Sequence, residues 1–351
     1  MYPVLTGTIS HVDPHSSLRE SAAPYSLPGI FMSHITAFRG KLADIDERSQ
    51  NPAADHEKLF METVLACNEM IGYCEEYERR FAHAPEVVKQ ARIDFRTLTA
   101  DLFLKSYFME RARTWPQGYP GDYLTLESVY KKTPLSTGLG YYLDQHFIAS
   151  TLGNAVRDRI STLTNILHDV LGAYQAPEIL NIACGSCREL VGLSKRIREV
   201  NGTITCIDHD DDALEYSMKR LYATPLDLEH SSFRKYNAMK MVSHERNLKE
   251  FGMQDVIYSA GFFDYMKDDV LIRILSSAYR MLRPGGTLIA PFKDATRYKT
   301  QEYHWFVDWT GFLQRTPDEI MAVIEKAGIP RQCLTTQRDK TGVILFVVAT
   351  A

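Results

Sequence analysis

The residues best placed to do chemistry lie in one stretch, Glu178-Ile-Leu-Asn-Ile-Ala-Cys-Gly-Ser-Cys-Arg-Glu189. A short apolar run (Ile179, Leu180, Ile182) leads into small residues at Ala183, Gly185, Ser186 and Cys187, and a helical pattern through Leu190, Leu193 and Ile197 follows. This reads as a strand, a tight turn and a helix start. Small side chains let the backbone approach a ligand, and the free N–H groups of the helix start can meet an anionic or polar group. Cys184 and Cys187 have the C-x-x-C spacing of a redox pair or half a zinc site. No second pair completes a metal site, and a Cys standing for Gly in a nucleotide-binding turn explains the spacing, so no metal is expected. Asp208 follows the turn by about 20 residues, where a carboxylate can accept hydrogen bonds from both ribose hydroxyls of an adenosine. The alternative for Asp208 is a helix N-cap beside Asp210, Asp211 and Asp212. Upstream, Trp115-Pro-Gln-Gly-Tyr-Pro-Gly-Asp-Tyr123 presents Tyr119, Asp122 and Tyr123 in a loop longer than a plain interhelical turn needs.

The elements that must position these groups follow from pattern and punctuation. The chain of 351 residues is long enough for two domains, and its net charge of -4 lacks the basic footprint of a general nucleic-acid binder. A small-molecule or acyl substrate is expected instead. The amino terminus has no basic segment followed by an apolar one, and no run approaches ~18 apolar residues, so a cytoplasmic protein without membrane span is expected. Residues 1–28 read as an arm or lid. Residues 29–172 read as a helical domain: Phe60, Val64, Cys67, Ile71 and Cys74 share one helix face, Val87 to Phe108 forms a second long helix, and Leu143 to Leu171 a third, ending at Gly172. Arg157 and Arg159 fall on the polar side of that third helix. Residues 173–351 alternate strand and helix, which argues for a mostly parallel sheet covered on both faces. The last two strands are joined by only Gln337 to Gly342, too short for a parallel crossover, so they must form an antiparallel hairpin.

Three features carry a resemblance. Arg283-Pro-Gly-Gly286 closes a helix before a buried strand, the sheet ends in an antiparallel hairpin, and the turn lacks a full G-x-G-x-x-G, with Ala183 and Cys187 standing in place of glycine, which weakens a dinucleotide reading. From Pro177 onward the chain resembles class I S-adenosylmethionine (SAM)-dependent methyltransferases, whose α/β fold is a seven-stranded Rossmann-like sheet with that closing hairpin. Here an α-helical domain would precede it. The resemblance implies SAM as cofactor, with Ala183 and Gly185 against its amino acid and ribose and Asp208 on the ribose hydroxyls beside His209. It implies Asn237 and Ala238 at the adenine, Ser259, Ala260 and Gly261 along the methionine side, and Tyr119, Asp122 and Arg159 completing the set. Asn181 stands where many members have an acidic residue. Gly118-Tyr-Pro-Gly-Asp122, the turn through Glu189, and Asp308-Trp309 followed by Arg315-Thr316 resemble a narrower group, the bacterial methyltransferases of 3-hydroxypalmitic acid methyl ester (extracellular factor) biosynthesis. That implies a fatty-acyl acid as acceptor.

Methyl transfer from a sulfonium is an in-line displacement, so the protein must align the nucleophile and exclude water. A carboxylate acceptor needs no base, and aromatic faces can stabilise the sulfonium. Tyr119, Tyr141, Tyr142, Phe262, Phe263, Tyr303 and Trp305 are the supply. A hydroxyl or amine acceptor benefits from a base, for which His146 and His304 are the candidates, with Asp264 behind them. Tyr119, Tyr142, His146 and His304 are therefore the expected catalytic residues, and Arg157 or Arg159 could pair with the SAM carboxylate or an acid substrate. Two other readings use the same cofactor. An enclosed pocket too small for a second substrate could close the SAM side chain into azetidine-2-carboxylate with release of methylthioadenosine, or the chain could bind SAM without catalysis as a regulatory protein. A homodimer is compatible with each.

Overall fold

The computed structural model describes residues 29–226, 229–309 and 311–351. The expected arm or lid at residues 1–28 lies outside them. Helix α1 (Gly29–Ser49) buries Phe31, Ile35, Phe38, Leu42 and Ile45, a one-face spacing. Helix α2 (His56–Arg80) starts where the Asp55 side chain accepts from the Lys58 N–H, and it buries Cys67 and Cys74 on its inner face.

Two long helices expected from pattern are interrupted. Val87 to Phe108 is divided into α3 (Pro85–Leu98), α4 (Ala100–Phe103) and α5 (Tyr107–Thr114). The Thr99 hydroxyl turns back to the Phe95 carbonyl at 2.8 Å, and Ser106 caps α5 by accepting from the Met109 N–H at 3.0 Å. Such local hydroxyl bonds compete with the helix ladder, which an apolar period does not reveal. After α6 (Tyr123–Lys131), the stretch expected as one helix from Leu143 to Leu171 is α7 (Gly138–Ile148) and α8 (Thr151–Leu171), divided at Ser150, whose hydroxyl accepts from the Gly153 N–H at 3.2 Å.

The seven strands are β1 (Glu178–Ile182), β2 (Thr203–Asp208), β3 (Ser231–Lys235), β4 (Gln254–Tyr258), β5 (Leu282–Lys293), β6 (Leu334–Arg338) and β7 (Ile344–Thr350). They lie in the order β3-β2-β1-β4-β5-β7-β6, with β7 antiparallel to both neighbours. The helices between them are α9 (Arg188–Glu199), α10 (Asp211–Leu221), α11 (His244–Phe251), α12 (Asp268–Arg280) and α13 (Pro317–Lys326). This is the Rossmann-like class I methyltransferase fold preceded by a helical region. Alternation along β1 sends Ile179 into one core with α8 and α9, and Leu180 and Ile182 into the other with α12 and α13. The strand order reverses between β1 and β4, where an open α/β sheet leaves a crevice.

Between β5 and α13 the chain leaves the sheet and joins the helical region. A π-helical turn, Glu302–Phe306, drives Trp305 among Phe31, Tyr77 and Phe95, with ring centroids 5.3, 5.7 and 6.0 Å away. Arg113 of α5 fastens the junction: Nε donates to the Phe306 carbonyl at 2.7 Å and Nη2 to Thr99 Oγ1 at 3.1 Å, over the Phe103 ring. The helices and one sheet face therefore share a core. Among the described residues, no helix is long and apolar enough to cross a membrane.

Candidate active site

A cavity of about 490 Å³ lies over the carboxyl ends of β1, β2 and β4 and under the helical region. Its floor is the turn after β1. Ala183, Gly185 and Cys187 have φ of 53, 54 and 46°, so the turn enters the left-handed region three times. Ala and Cys tolerate that region only when surroundings hold them there. The Cys184 N–H donates to the Ile207 carbonyl at 3.0 Å, the Gly185 N–H to Asp208 Oδ2 at 2.8 Å, and Ser217 Oγ to the Gly185 carbonyl at 2.7 Å.

Asp208 thus shapes the turn as well as facing the cavity, and its Oδ1 accepts from the Asp210 N–H at 3.1 Å. Asp210, not Asp208, is the N-cap of α10, accepting from Asp212 and Ala213 N–H. Tyr119 reaches over this end from the loop before α6, donating its hydroxyl to Asp210 Oδ2 at 2.8 Å and laying its ring 4.8 Å from that of His209. Burial and the Asp210 carboxylate push the Tyr119 hydroxyl well up, so it stays a donor. The hydrogen bond to Asp208 raises the exposed His209.

Tyr119, Arg159, Ala183, Gly185, Asp208 and His209 line the cavity, as do Asn237, Ala238, Ala260 and Gly261. Two expected cofactor residues do not. Asp122 is buried as the N-cap of α6 and is held by Arg111 Nη2 at 2.6 Å and Thr125 Oγ1 at 2.7 Å. Ser259 is fully buried behind the β4 end. Asn237 is exposed and spends its Oδ1 on the Met239 N–H at 2.9 Å.

Arg159 corrects the expectation of a polar helix face. It is 3% exposed, its Nη2 donates to the Tyr130 hydroxyl at 3.4 Å, and its Nε has no partner. No carboxylate lies within ion-pair distance of it among the described residues. A Cβ on Gly261 would sit 2.6 Å from Nη1, so the bare glycine backbone seats the guanidinium. Arg157 instead donates to the Val129 and Ile148 carbonyls at 3.0 and 2.7 Å, tying helix ends together.

The far half of the cavity is apolar and aromatic, with Phe108, Leu126, Val156 and Phe312 beside Tyr265, Tyr303 and Trp309. Trp309 Nε1 is buried without a partner. Lys293 pairs with Asp264 at 2.6 Å over the Phe312 ring, and burial lowers its ammonium to about 8. Asp264 therefore backs a lysine and no histidine.

Three expected catalytic residues lie outside the cavity lining. Tyr142 is buried, and its hydroxyl meets His56 Nδ1 at 2.6 Å. His146 lies edge-on to Phe147 with Nε2 enclosed and unpartnered, and burial pushes it down to about 4. His304 sits on the π-helical turn near Arg92 and Arg96, and burial, helped by those cations, brings it to about 4. Their neutral rings have the form a base needs, but outside the cavity lining they cannot reach the reacting atoms. Tyr141 is exposed, and Phe263 and Trp305 belong to the cores.

Pattern also missed residues that the fold brings in: Tyr265, Lys293, Trp309, Phe312 and Glu189. Glu189 ended the stretch singled out above, and an acid in the first turn of the helix after β1 was its only signal. A second missed acid is Glu127 of α6, 2% exposed. It accepts from Ser186 Oγ at 2.8 Å, Arg188 Nη1 at 2.9 Å and Arg220 Nη2 at 2.6 Å, clamping the helical region onto the β1 turn.

Residues 179–286 match the family model described as a methyltransferase domain. No curated protein sequence matches the chain. Among solved structures, a possible exported protein from Bordetella parapertussis is similar at 14% identity and TM-score 0.53, over 91% of this chain and 96% of that one. It shows that the fold, helical region included, recurs as a whole. The Burkholderia thailandensis 1,6-didemethyltoxoflavin-N1-methyltransferase with bound 1,6-didemethyltoxoflavin and S-adenosylhomocysteine is 16% identical, at TM-score 0.37 over 55% of this chain and 77% of that one. The magnesium protoporphyrin IX methyltransferase of Synechocystis PCC 6803 with bound SAM is 9% identical, at TM-score 0.41 over 57% and 83%. The family match over residues 179–286 supports a SAM-dependent methyltransferase enzyme with SAM as its cofactor.

Proposed function

We propose that this methyltransferase acts on an oxygen of a small-molecule or fatty-acyl acid, in bacterial secondary or signal metabolism and in the cytoplasm. The observation that carries the reading is the composition of the far half of the cavity: apolar and aromatic walls, with neither His146 nor His304 among the lining residues. An acceptor that already bears its nucleophilic charge suits such a site, because no proton must be removed. Carboxylates meet that requirement.

The residues present fit SAM. Arg159 offers a buried cation without a carboxylate partner among the described residues, Gly261 clears its path, and Asp208 stands at the second strand end. SAM supplies an electrophilic methyl carbon. The protein's part is to hold and enclose: Tyr119 and the loop before α6 cover the Asp208 end, while Tyr303, Trp309 and Phe312 wall the acceptor end and keep water from it.

One observation favours a second reading. The same cavity of about 490 Å³ must house cofactor and acceptor together. A confined space suits a reaction in which SAM is the sole substrate, such as closure to azetidine-2-carboxylate. Incubation of the purified chain with SAM alone, then with 3-hydroxy fatty acids, separates the two by mass spectrometry. S-adenosylhomocysteine plus a methyl ester supports methylation of an acid. Methylthioadenosine from SAM alone overturns it in favour of closure.

A further inference from the structure

Glu189 is an acid that the fold places in the cavity without an evident structural need. It stands in the first turn of α9 and is 2% exposed. Its Oε1 accepts two neutral hydrogen bonds, from Asn181 Nδ2 and from the Tyr258 hydroxyl, both at 2.9 Å. Asn181 and Tyr258 are register partners on β1 and β4, the two strands flanking the crevice. No side chain among the described residues holds Oε2, and Glu189 lines the cavity.

A buried carboxylate without a cation is unfavourable, and so is a buried guanidinium without an anion. Glu189 and Arg159, both buried and both in the cavity lining, are such a carboxylate and such a guanidinium. Arg159 is seated against Gly261, three residues beyond Tyr258 in the same chain. The Tyr130 hydroxyl accepts from Arg159 and also feels the charge of Glu189. The two unpaired charges thus flank one region near the β4 end. They do not neutralise each other as an ion pair, which leaves room for a ligand bearing both signs. The amino-acid end of SAM is such a ligand, with an ammonium and a carboxylate on one carbon.

We propose that Glu189 binds the α-ammonium group of the cofactor while Arg159 takes its carboxylate, so that the two buried charges read the amino-acid end as a zwitterion. This rests on SAM being the cofactor. Asn181 and Tyr258 act as positioning residues that hold Oε1 and turn Oε2 toward the ligand. Burial and the nearby Cys187 push the Glu189 carboxyl up to about 7, as expected of an acid awaiting its cation.

Calorimetric titration of the full chain tests this with S-adenosylhomocysteine, its deaminated analogue and methylthioadenosine, which lacks the amino-acid end. In Glu189→Gln, affinity for S-adenosylhomocysteine is expected to fall roughly 10- to 100-fold, the worth of a charge-assisted hydrogen bond. Affinity for methylthioadenosine should stay as in the wild type. Equal losses for both ligands, or no loss in a folded variant, overturn the proposal. A second arm needs no variant: the wild type should bind the deaminated analogue more weakly than S-adenosylhomocysteine, and equal affinities overturn the proposal. If the wild type binds none of the three, the cofactor assignment falls and this proposal with it. Tight wild-type binding that ignores the ammonium removes only this proposal.

Discussion

Asp208 and Arg159 do different work at the cofactor end. Asp208 accepts from the Gly185 N–H at 2.8 Å, so its carboxylate holds the turn while facing the cavity. Asp208→Ala is expected to weaken SAM binding by roughly 1.5–3 kcal/mol per charge-assisted bond lost. It should also lower the melting temperature, because the turn loses an anchor. Calorimetry and a thermal melt of the same sample check both, and unchanged affinity in a folded variant removes Asp208 from the site. Arg159→Met is expected to weaken SAM binding at least about tenfold, and Arg159→Lys to restore it only in part, because an ammonium lacks the planar fork. An Arg159→Lys variant as tight as wild type would show that only net charge matters there. The place of Asp208 and Gly185 in the cavity lining was legible from the sequence because it depends on local spacing. The direction of Arg159 was not, because packing on Gly261, 102 residues away, turns a nominally polar position inward.

At the scale of elements, α6 and the β1 turn are joined through one acid. Burial opposes ionisation of Glu127, but the Arg220 hydrogen bond and charge, with Ser186 and Arg188, outweigh it and hold the carboxyl below its ordinary range. Removing one partner of a buried network strands the others. Glu127→Ala is expected to destabilise the fold by about 3 kcal/mol, the low end for such a loss because Arg188 is partly exposed. Denaturant unfolding measures this, and a change under about 0.5 kcal/mol, the range of an ordinary surface substitution, would show that the network contributes nothing. The same variant frees the roof from the turn, so SAM affinity should fall with it. Nothing in the pattern near Glu127 distinguishes it from a solvated helix acid, since its partners come from α9, α10 and the turn before α9.

Acid sensitivity belongs to the whole molecule. His146 and His304 titrate near 6.5 when unfolded and near 4 in the fold. Between those values the unfolded chain binds more protons, so stability rises with pH across the window. Their contribution is fully present above 6.5 and disappears as pH falls to 4, each histidine losing ~1.36 kcal/mol for every pH unit crossed in that window. The melting temperature should therefore drop steadily from pH 6.5 to 4, and His146→Leu should flatten that slope. A slope unchanged in the variant would show that His146 is accessible to protons in the fold. The histidines nominated for catalysis thus matter to stability, and the reason is enclosure.

The sequence by itself determined an alternating strand–helix half and its closing antiparallel hairpin, since period, turn residues and a six-residue connection too short for a parallel crossover fix both. It also determined the identity of the β1 turn and the acid after β2, which depend on neighbours in the chain. Only the tertiary structure decided which side chains enter the cavity. The π-helical turn sends Trp305 into the helical core and leaves Tyr303 and Trp309 on the cavity wall, while Ser150 and Ser106 break helices that their apolar periods would continue. Periodicity reports which face of an element is apolar. Whether a charge such as Arg159 or Glu189 is buried, paired or left open to a ligand depends on groups brought together from distant segments, and their spacing in the chain carries no record of that meeting.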